Sequence, residues 1–200
     1  MESRHKNILK FEREYWDARY RSGRDSGVGS YGAEVETKLQ LLIELINSVY
    51  PEVKTILDVG CGDFNLGKQL LDRIPEDVTY LGLDVSEAIV SRNNNSYGSD
   101  RIKFEVFDFQ PIQADLVICM DVLFHIIEDA DYERMVKYLN MVYGKYLIIS
   151  QIGGWEKLPY LAPHMGPRNI DNPEMFGKLL NKFVIPLPGE VTTKDIYLFV

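Results

Sequence analysis

The chain has 200 residues, of which 46% are hydrophobic and 26% charged, and its net charge is −8 at pH 7. A chain of this length buries roughly 70% of its unfolded surface, so one domain folds without disulfides or structural metal. The acidic balance argues against a nucleic-acid partner, whose phosphates need basic neutralisation, and no apolar run reaches the roughly 18 residues that span a bilayer.

The opening residues Glu2, Arg4, His5 and Lys6 are charged and contain no apolar signal region, so a cytoplasmic protein is expected. Cys61 and Cys119 lie in or beside apolar segments without CxxC spacing, and His5, His125 and His164 lack ligand spacing. Neither a disulfide framework nor a metal site is expected.

Residues 2–22 place Ile8, Leu9, Phe11, Tyr15, Trp16 and Tyr20 at helical spacing, which predicts an amphipathic helix with an aromatic stripe. Four glycines break the stretch 22–32, and a second helix over 33–49 is stopped by Pro51. From there strands and helices alternate. The pattern predicts a strand at 55–59, a helix at 66–74 and a strand at 78–83. Ser86 caps the next helix, which is expected to fray into a mobile loop over 93–98. Strands at 102–107 and 115–120, a helix at 129–143 and a strand at 146–150 follow. The last elements are a helix at 174–180 and strands at 183–187 and 196–200, joined by Pro188-Gly189-Glu190. The expected fold is α/β: a single Rossmann-like, seven-stranded, mostly parallel sheet with helices on both faces and the last strand antiparallel. Residues 1–50 form a helical segment of the same domain, and residues 51–200 carry the ligand-binding part. Ligands of such sheets bind outside the carboxyl ends of the strands.

The first strand end reads Asp58-Val59-Gly60-Cys61-Gly62-Asp63-Phe64-Asn65-Leu66-Gly67. Gly60 and Gly62 allow a sharp turn and close approach to a ligand, and the helix that follows points its first amides at it. The third glycine comes two positions later than in a dinucleotide fingerprint, and Asp58 and Asp63 flank the turn instead of a basic residue. That acidic flank repels a pyrophosphate and suits a positively charged aminoacyl sulfonium. Asp84, followed by Val85, falls about 20 residues after the turn, where a carboxylate reaches ribose hydroxyls. Asp108 is positioned to accept from an adenine amino group while Phe109 packs on the ring. Met120-Asp121-Val122 ends the fourth strand, where the reactive end of a cofactor would lie.

These four strand ends resemble the class I S-adenosylmethionine-dependent methyltransferases, over roughly residues 54–200. The N-terminal segment, with Tyr15-Trp16-Asp17-Ala18-Arg19-Tyr20 and Ser26-Gly27-Val28-Gly29-Ser30, is similar to a small bacterial and phage subgroup in which it lids the pocket. The resemblance implies S-adenosyl-L-methionine as cofactor. It also implies that Tyr15, Arg19, Tyr20, Gly29 and Ser30 close over its methionine end, with Arg19 facing the carboxylate. Helix packing is the competing explanation for Trp16 and Tyr20.

His125, just past the fourth strand, and His164, in a loop rich in proline and glycine, are the candidate catalytic residues. Ordinary packing at a helix edge and an ordinary surface loop are their respective alternatives. The expected function is methyl transfer to a hydroxyl, or to an amine or carboxylate, of a small molecule or sugar. The lack of prolines after Asp121 argues against a base-methylating DNA enzyme. A protein or RNA methyltransferase, or a regulatory protein that binds the cofactor without catalysis, is the alternative. The glycine spacing disfavours nicotinamide-dependent oxidoreduction.

Overall fold

The computed structural model describes residues 9–158, 160–166, 168, 170, 175–186 and 192–200. The apolar runs after Pro51 form seven strands: β1 (Thr55–Val59), β2 (Thr79–Asp84), β3 (Ile102–Val106), β4 (Ala114–Met120), β5 (Tyr143–Gly153), β6 (Leu179–Pro186) and β7 (Thr193–Phe199). They lie in the order β3-β2-β1-β4-β5-β7-β6. The first five are parallel, and β7 runs antiparallel between β5 and β6.

Among the described residues five α-helices accompany them: α1 (Lys10–Arg21), α2 (Ala33–Val49), α3 (Asn65–Leu71), α4 (Glu87–Tyr97) and α5 (Asp129–Val142). Alternate strand residues face opposite sides, so the sheet carries two apolar layers. Leu57, Val59, Val117, Cys119 and Leu147 pack with Met135, Leu139 and Val142 of α5. Ile56, Leu116, Ile118 and Ile148 pack with Leu39, Leu42 and Ile46 of α2, Leu70 of α3 and Ile89 of α4. No helix among the described residues is long and apolar enough to cross a membrane.

Two predicted elements are corrected. The expected fraying over 93–98 does not occur, because α4 continues to Tyr97. Its asparagines hold it down: Asn93 Nδ2 donates to the Gly62 carbonyl at 2.8 Å, and Asn94 exchanges hydrogen bonds with the Phe104 backbone. The helix expected at 174–180 is also absent from the residues described there. Gly177 takes a φ of 83°, and Lys178 pairs through its backbone with Val200, which leads straight into β6. The buried Phe176 fills the core from an irregular segment, not from a helix face. Smaller differences concern bounds. α3 stops at Leu71, β5 begins directly after α5 at Tyr143, and the Pro188-Gly189-Glu190 turn and residues 1–8 lie outside the described residues.

Candidate active site

The strand order reverses between β1 and β4, since the chain runs outward from β1 to β3 on one side and from β4 to β5 on the other. Beyond the carboxyl ends at this point lies a cavity of about 400 Å³. That is within the roughly 300–1,000 Å³ usual for small-molecule sites.

One end of the cavity is built on the turn after β1. Gly60 and Gly62 take φ of 83° and 54°, a region that side chains disfavour. A Cβ at Gly60 would collide with Val122, and one at Gly62 with Ser26. The amides of Gly60 and Cys61 both donate to the Leu83 carbonyl, at 2.7 and 3.0 Å, and so fasten the turn to β2. Asp84 accepts from the Gly62 amide at 3.0 Å and the Ser86 amide at 2.9 Å. Burial pushes its carboxyl up to about 6, against the pull of those two donors. A carboxylate has about four acceptor sites, so Asp84, which lines the cavity, keeps acceptor capacity there.

Helix α1 roofs this end. Arg13 reaches the carbonyls of Val85 at 2.7 Å and Phe107 at 3.2 Å, which lays the helix across the ends of β2 and β3. Asp17 accepts from Ser86 Oγ and the Ala88 amide, fixing α1 to the start of α4. Glu12 of the same helix lines the cavity and is only 4% exposed. Its Oε1 accepts from the Ile127 amide at 3.1 Å, while its Oε2 has no partner among the described residues. Burial pushes the Glu12 carboxyl up, the Ile127 amide opposes this, and Asp131 and Glu128 add to the rise. No sequence signal singles out Glu12 among the charged residues of this helix.

The other end lies beyond Met120. Asp121 Oδ2 meets the ammonium of Lys38, and Oδ1 accepts from Lys194 Nζ at 2.7 Å and Ser150 Oγ at 2.7 Å. Burial alone would raise the Asp121 carboxyl, but Lys194 and Lys38 outweigh it and hold the group well below the usual carboxylate range. The walls here are aromatic. The rings of His125 and His164 are parallel with centroids 5.4 Å apart, Tyr15 stacks on His164 at 4.4 Å, and Trp16 stands edge-on to His125 at 5.1 Å. His125 Nδ1 donates to the His164 carbonyl at 3.0 Å, so its Nε2 carries the lone pair. Burial pushes His125 down to about 4.

Residues 56–143 match the profile of the methyltransferase domain family. No curated protein sequence matches the chain. Magnesium protoporphyrin IX methyltransferase from Synechocystis PCC 6803, with bound S-adenosylhomocysteine, superposes with a TM-score of 0.68 at 17% identity, over 96% of this chain and 99% of that one. A methyltransferase from Anabaena variabilis gives 0.69 at 14% identity, over 96% and 93%. The N-methyltransferase NodS from Bradyrhizobium japonicum gives 0.62 at 13%, over 82% and 94%. Residues 56–143 thus carry a methyltransferase domain, and the chain as a whole has the Rossmann-like fold of these enzymes.

Of the residues expected at the site, the cavity gathers Tyr15, Arg19, Tyr20, Ser30, Gly60, Cys61, Gly62, Asp84, Val85, Met120, Asp121, His125 and His164. Four others lie elsewhere. Asp58 shares the face of Ile56 within β1, is buried, and accepts from Tyr80 Oη at 2.6 Å. Asp63 faces the 22–32 segment: it accepts from the Ser26 amide at 2.9 Å and Tyr31 Oη at 2.8 Å. The acidic flank therefore supports the turn and ties down the segment above it, and it does not line the cavity. Asp108 bonds to the backbone and side chain of Gln110, and Phe109 packs on Phe107 and Tyr138. Phe107, one residue earlier, lines the cavity in their place. Arg19 reaches the cavity but spends its guanidinium on Asp25.

Proposed function

We propose that the cavity holds S-adenosylmethionine with its adenosine at the Gly60–Asp84 end and its methyl group toward Asp121, and that it methylates a hydroxyl, amine or carboxylate of a small molecule. The single observation that carries this reading is Asp84: a buried carboxylate with spare acceptor capacity, directly behind two positive-φ glycines. Ribose hydroxyls are donors of the right kind for it. The orphaned Glu12 Oε2 supplies what Asp108 does not, an acceptor for the adenine amino group among the apolar walls of Val85, Phe107 and Met135. A buried acceptor left unpaired costs about 1–3 kcal/mol, and the amino group removes that cost.

The bound cofactor supplies an electrophilic methyl carbon, so the chemistry itself asks little of the protein. The chain's share is to orient. Asp84 and Glu12 fix the nucleoside. Tyr15, Tyr20, Arg19 and Ser30 cover the opening between the two ends and exclude water. The aromatic walls hold the acceptor in line with the methyl group, and such alignment alone is worth several kcal/mol.

Calorimetry with S-adenosylhomocysteine and its inosine counterpart tests the assignment. The adenine ligand should bind about tenfold or more tightly than the inosine one, and Glu12→Ala should erase most of that preference. Equal binding of both ligands by the unaltered protein would refute the role of Glu12.

A further inference from the structure

We infer that the methyl acceptor is a small organic carboxylate, that the Lys194 ammonium holds it, and that the product is its methyl ester. The inference rests on the proposed use of the cavity for methyl transfer and narrows its substrate class.

The starting point is a charge imbalance. Lys38 and Lys194 are 2% and 4% exposed, and they share one carboxylate, Asp121. A buried ion without a partner costs several kcal/mol, so two ammoniums against one acid leave a unit of positive charge in want of an anion. The surrounding groups do not provide it. Asp195 follows Lys194 on β7, so it projects to the opposite face, and it pairs with Lys182 at 3.0 Å. Asp25 pairs with Arg19. Glu12 belongs to the other end of the cavity. Burial holds both His125 and His164 below their ordinary values, so they are neutral at pH 7 and contribute no charge of either sign.

The two lysines differ in what they have left to give. Lys38 is enclosed: it donates to the Gly29 carbonyl at 2.5 Å as well as to Asp121. Gly29 fits there because it lacks a side chain, since a Cβ would stand 2.7 Å from Asp121 Oδ2. Lys194 lines the cavity. Its partners among the described residues are Asp121 and the face of Phe124, at 5.4 Å. An ammonium has three donors, so Lys194 retains some for a ligand. The backbone of Asp121 takes a φ of 59°, a strained value for a residue that is not glycine, of the kind that gathers at functional sites. The cofactor sharpens the imbalance, because a sulfonium and an ammonium outweigh its one carboxylate. The anion has to come with the acceptor.

A second observation is independent of charge. A hydroxyl or ammonium acceptor must lose a proton, and His125 is the group placed to take it. Its Nδ1 is committed to the His164 carbonyl, and burial has made its Nε2 a weak base. A carboxylate is already deprotonated at neutral pH. One of its oxygens forms the bond to the methyl carbon, the carbon–sulfur bond breaks, and the electron pair stays on sulfur. The carboxylate and sulfonium charges cancel, leaving an ester and a thioether, and no proton moves. Parallel His125 and His164 rings, with Trp16 and Phe124 beside them, suit an acid with a flat apolar body.

The test uses the whole protein and cofactor labelled in its methyl group. The probes are benzoate, cinnamate and the small-molecule fraction of a cell extract. Products are treated with alkali, which releases methanol from methyl esters but not from ethers or methylamines. Label released as volatile methanol is the expected result. Label that survives alkali, or no transfer by a protein that still binds S-adenosylhomocysteine, overturns the inference. Failure to bind S-adenosylhomocysteine would sink the underlying cofactor reading instead. Lys194→Met, which leaves Asp121 paired with Lys38, should raise the KM for the labelled carboxylate about tenfold or more while leaving S-adenosylhomocysteine affinity within about twofold. Lys194→Arg should recover part of the loss. A tenfold fall in S-adenosylhomocysteine affinity in Lys194→Met would show that Lys194 serves the cofactor's own carboxylate, and would contradict the inference.

Discussion

The two ends of the cavity are assembled in different ways. The Gly60–Asp84 end is local: one strand, one turn and the tip of the next strand supply its floor, fastened by the paired amides on Leu83. The Asp121 end is dispersed. Its charges come from α2, the tip of β4 and the start of β7, residues 38, 121 and 194, with Ser150 of β5 between them. The first end presents spare acceptors in Asp84 and Glu12, the second a spare donor in Lys194. A nucleoside with donor edges suits the former, and an anion suits the latter.

Substitutions can break this division, beginning where the effect is largest. Asp84→Ala removes the acceptor of the local end. Calorimetric affinity for S-adenosylhomocysteine should fall by roughly 10- to 150-fold, because a hydrogen bond to a charged group contributes about 1.5–3 kcal/mol. Affinity within twofold of the unaltered protein would refute the ribose role. Asp63→Ala acts on the cover of the cavity. It releases the bonds to Ser26 and Tyr31. Stopped-flow dissociation of S-adenosylhomocysteine should quicken by about fivefold, as expected for losing two hydrogen bonds that contribute about 0.5 kcal/mol each at a partly exposed site. An unchanged rate would mean that the 22–32 segment does not retain the ligand.

His125→Gln probes the dispersed end. With a carboxylate acceptor, kcat should change by less than about threefold, whereas loss of a general base would cost about 10²- to 10⁴-fold. A fall of that size would restore His125 to proton transfer and weaken the case for an ester product. A separate test concerns Asp58, which lies under the turn and outside the cavity. Burial pushes its carboxyl up from 3.8 to about 6, only partly offset by Tyr80. The folded protein therefore keeps this proton to higher pH than the unfolded chain does. The stability Asp58 contributes is full below about pH 4 and is lost as pH rises through about 6. Asp58→Asn cannot titrate. Thermal melts across this window should show the unaltered protein losing stability relative to the variant, and parallel curves would show that Asp58 titrates normally.

The same division explains what could be read from the sequence. Strand alternation, the glycine turn and Asp84 follow from spacings within some 30 residues, because one strand–turn–helix unit creates them locally. The sequence could not show that the chain turns at Phe109, whose φ is 62°, and that Phe107 lines the cavity where Asp108 was expected. The acidic flank of the turn is legible in the sequence but its protein partners are not: Asp58 accepts from Tyr80 and Asp63 from the Ser26 amide. Lys38, Lys194 and Glu12 carried no sequence signal at all. Each is a charged residue in an amphipathic or strand segment, and only the tertiary fold buries it. The helix expected at 174–180 failed for a related reason. Pairing of Lys178 with Val200 outweighs local helical preference.

Where the two halves of the cofactor lie decides most directly between these roles of the two ends. A crystal structure with S-adenosylhomocysteine measures that. Expected are ribose hydroxyls on Asp84, the adenine amino group on Glu12 Oε2, and the sulfur turned toward Asp121, with Lys194 left for a second ligand. Adenine lodged among His125, His164 and Trp16, or a cofactor carboxylate on Lys194, would contradict that placement.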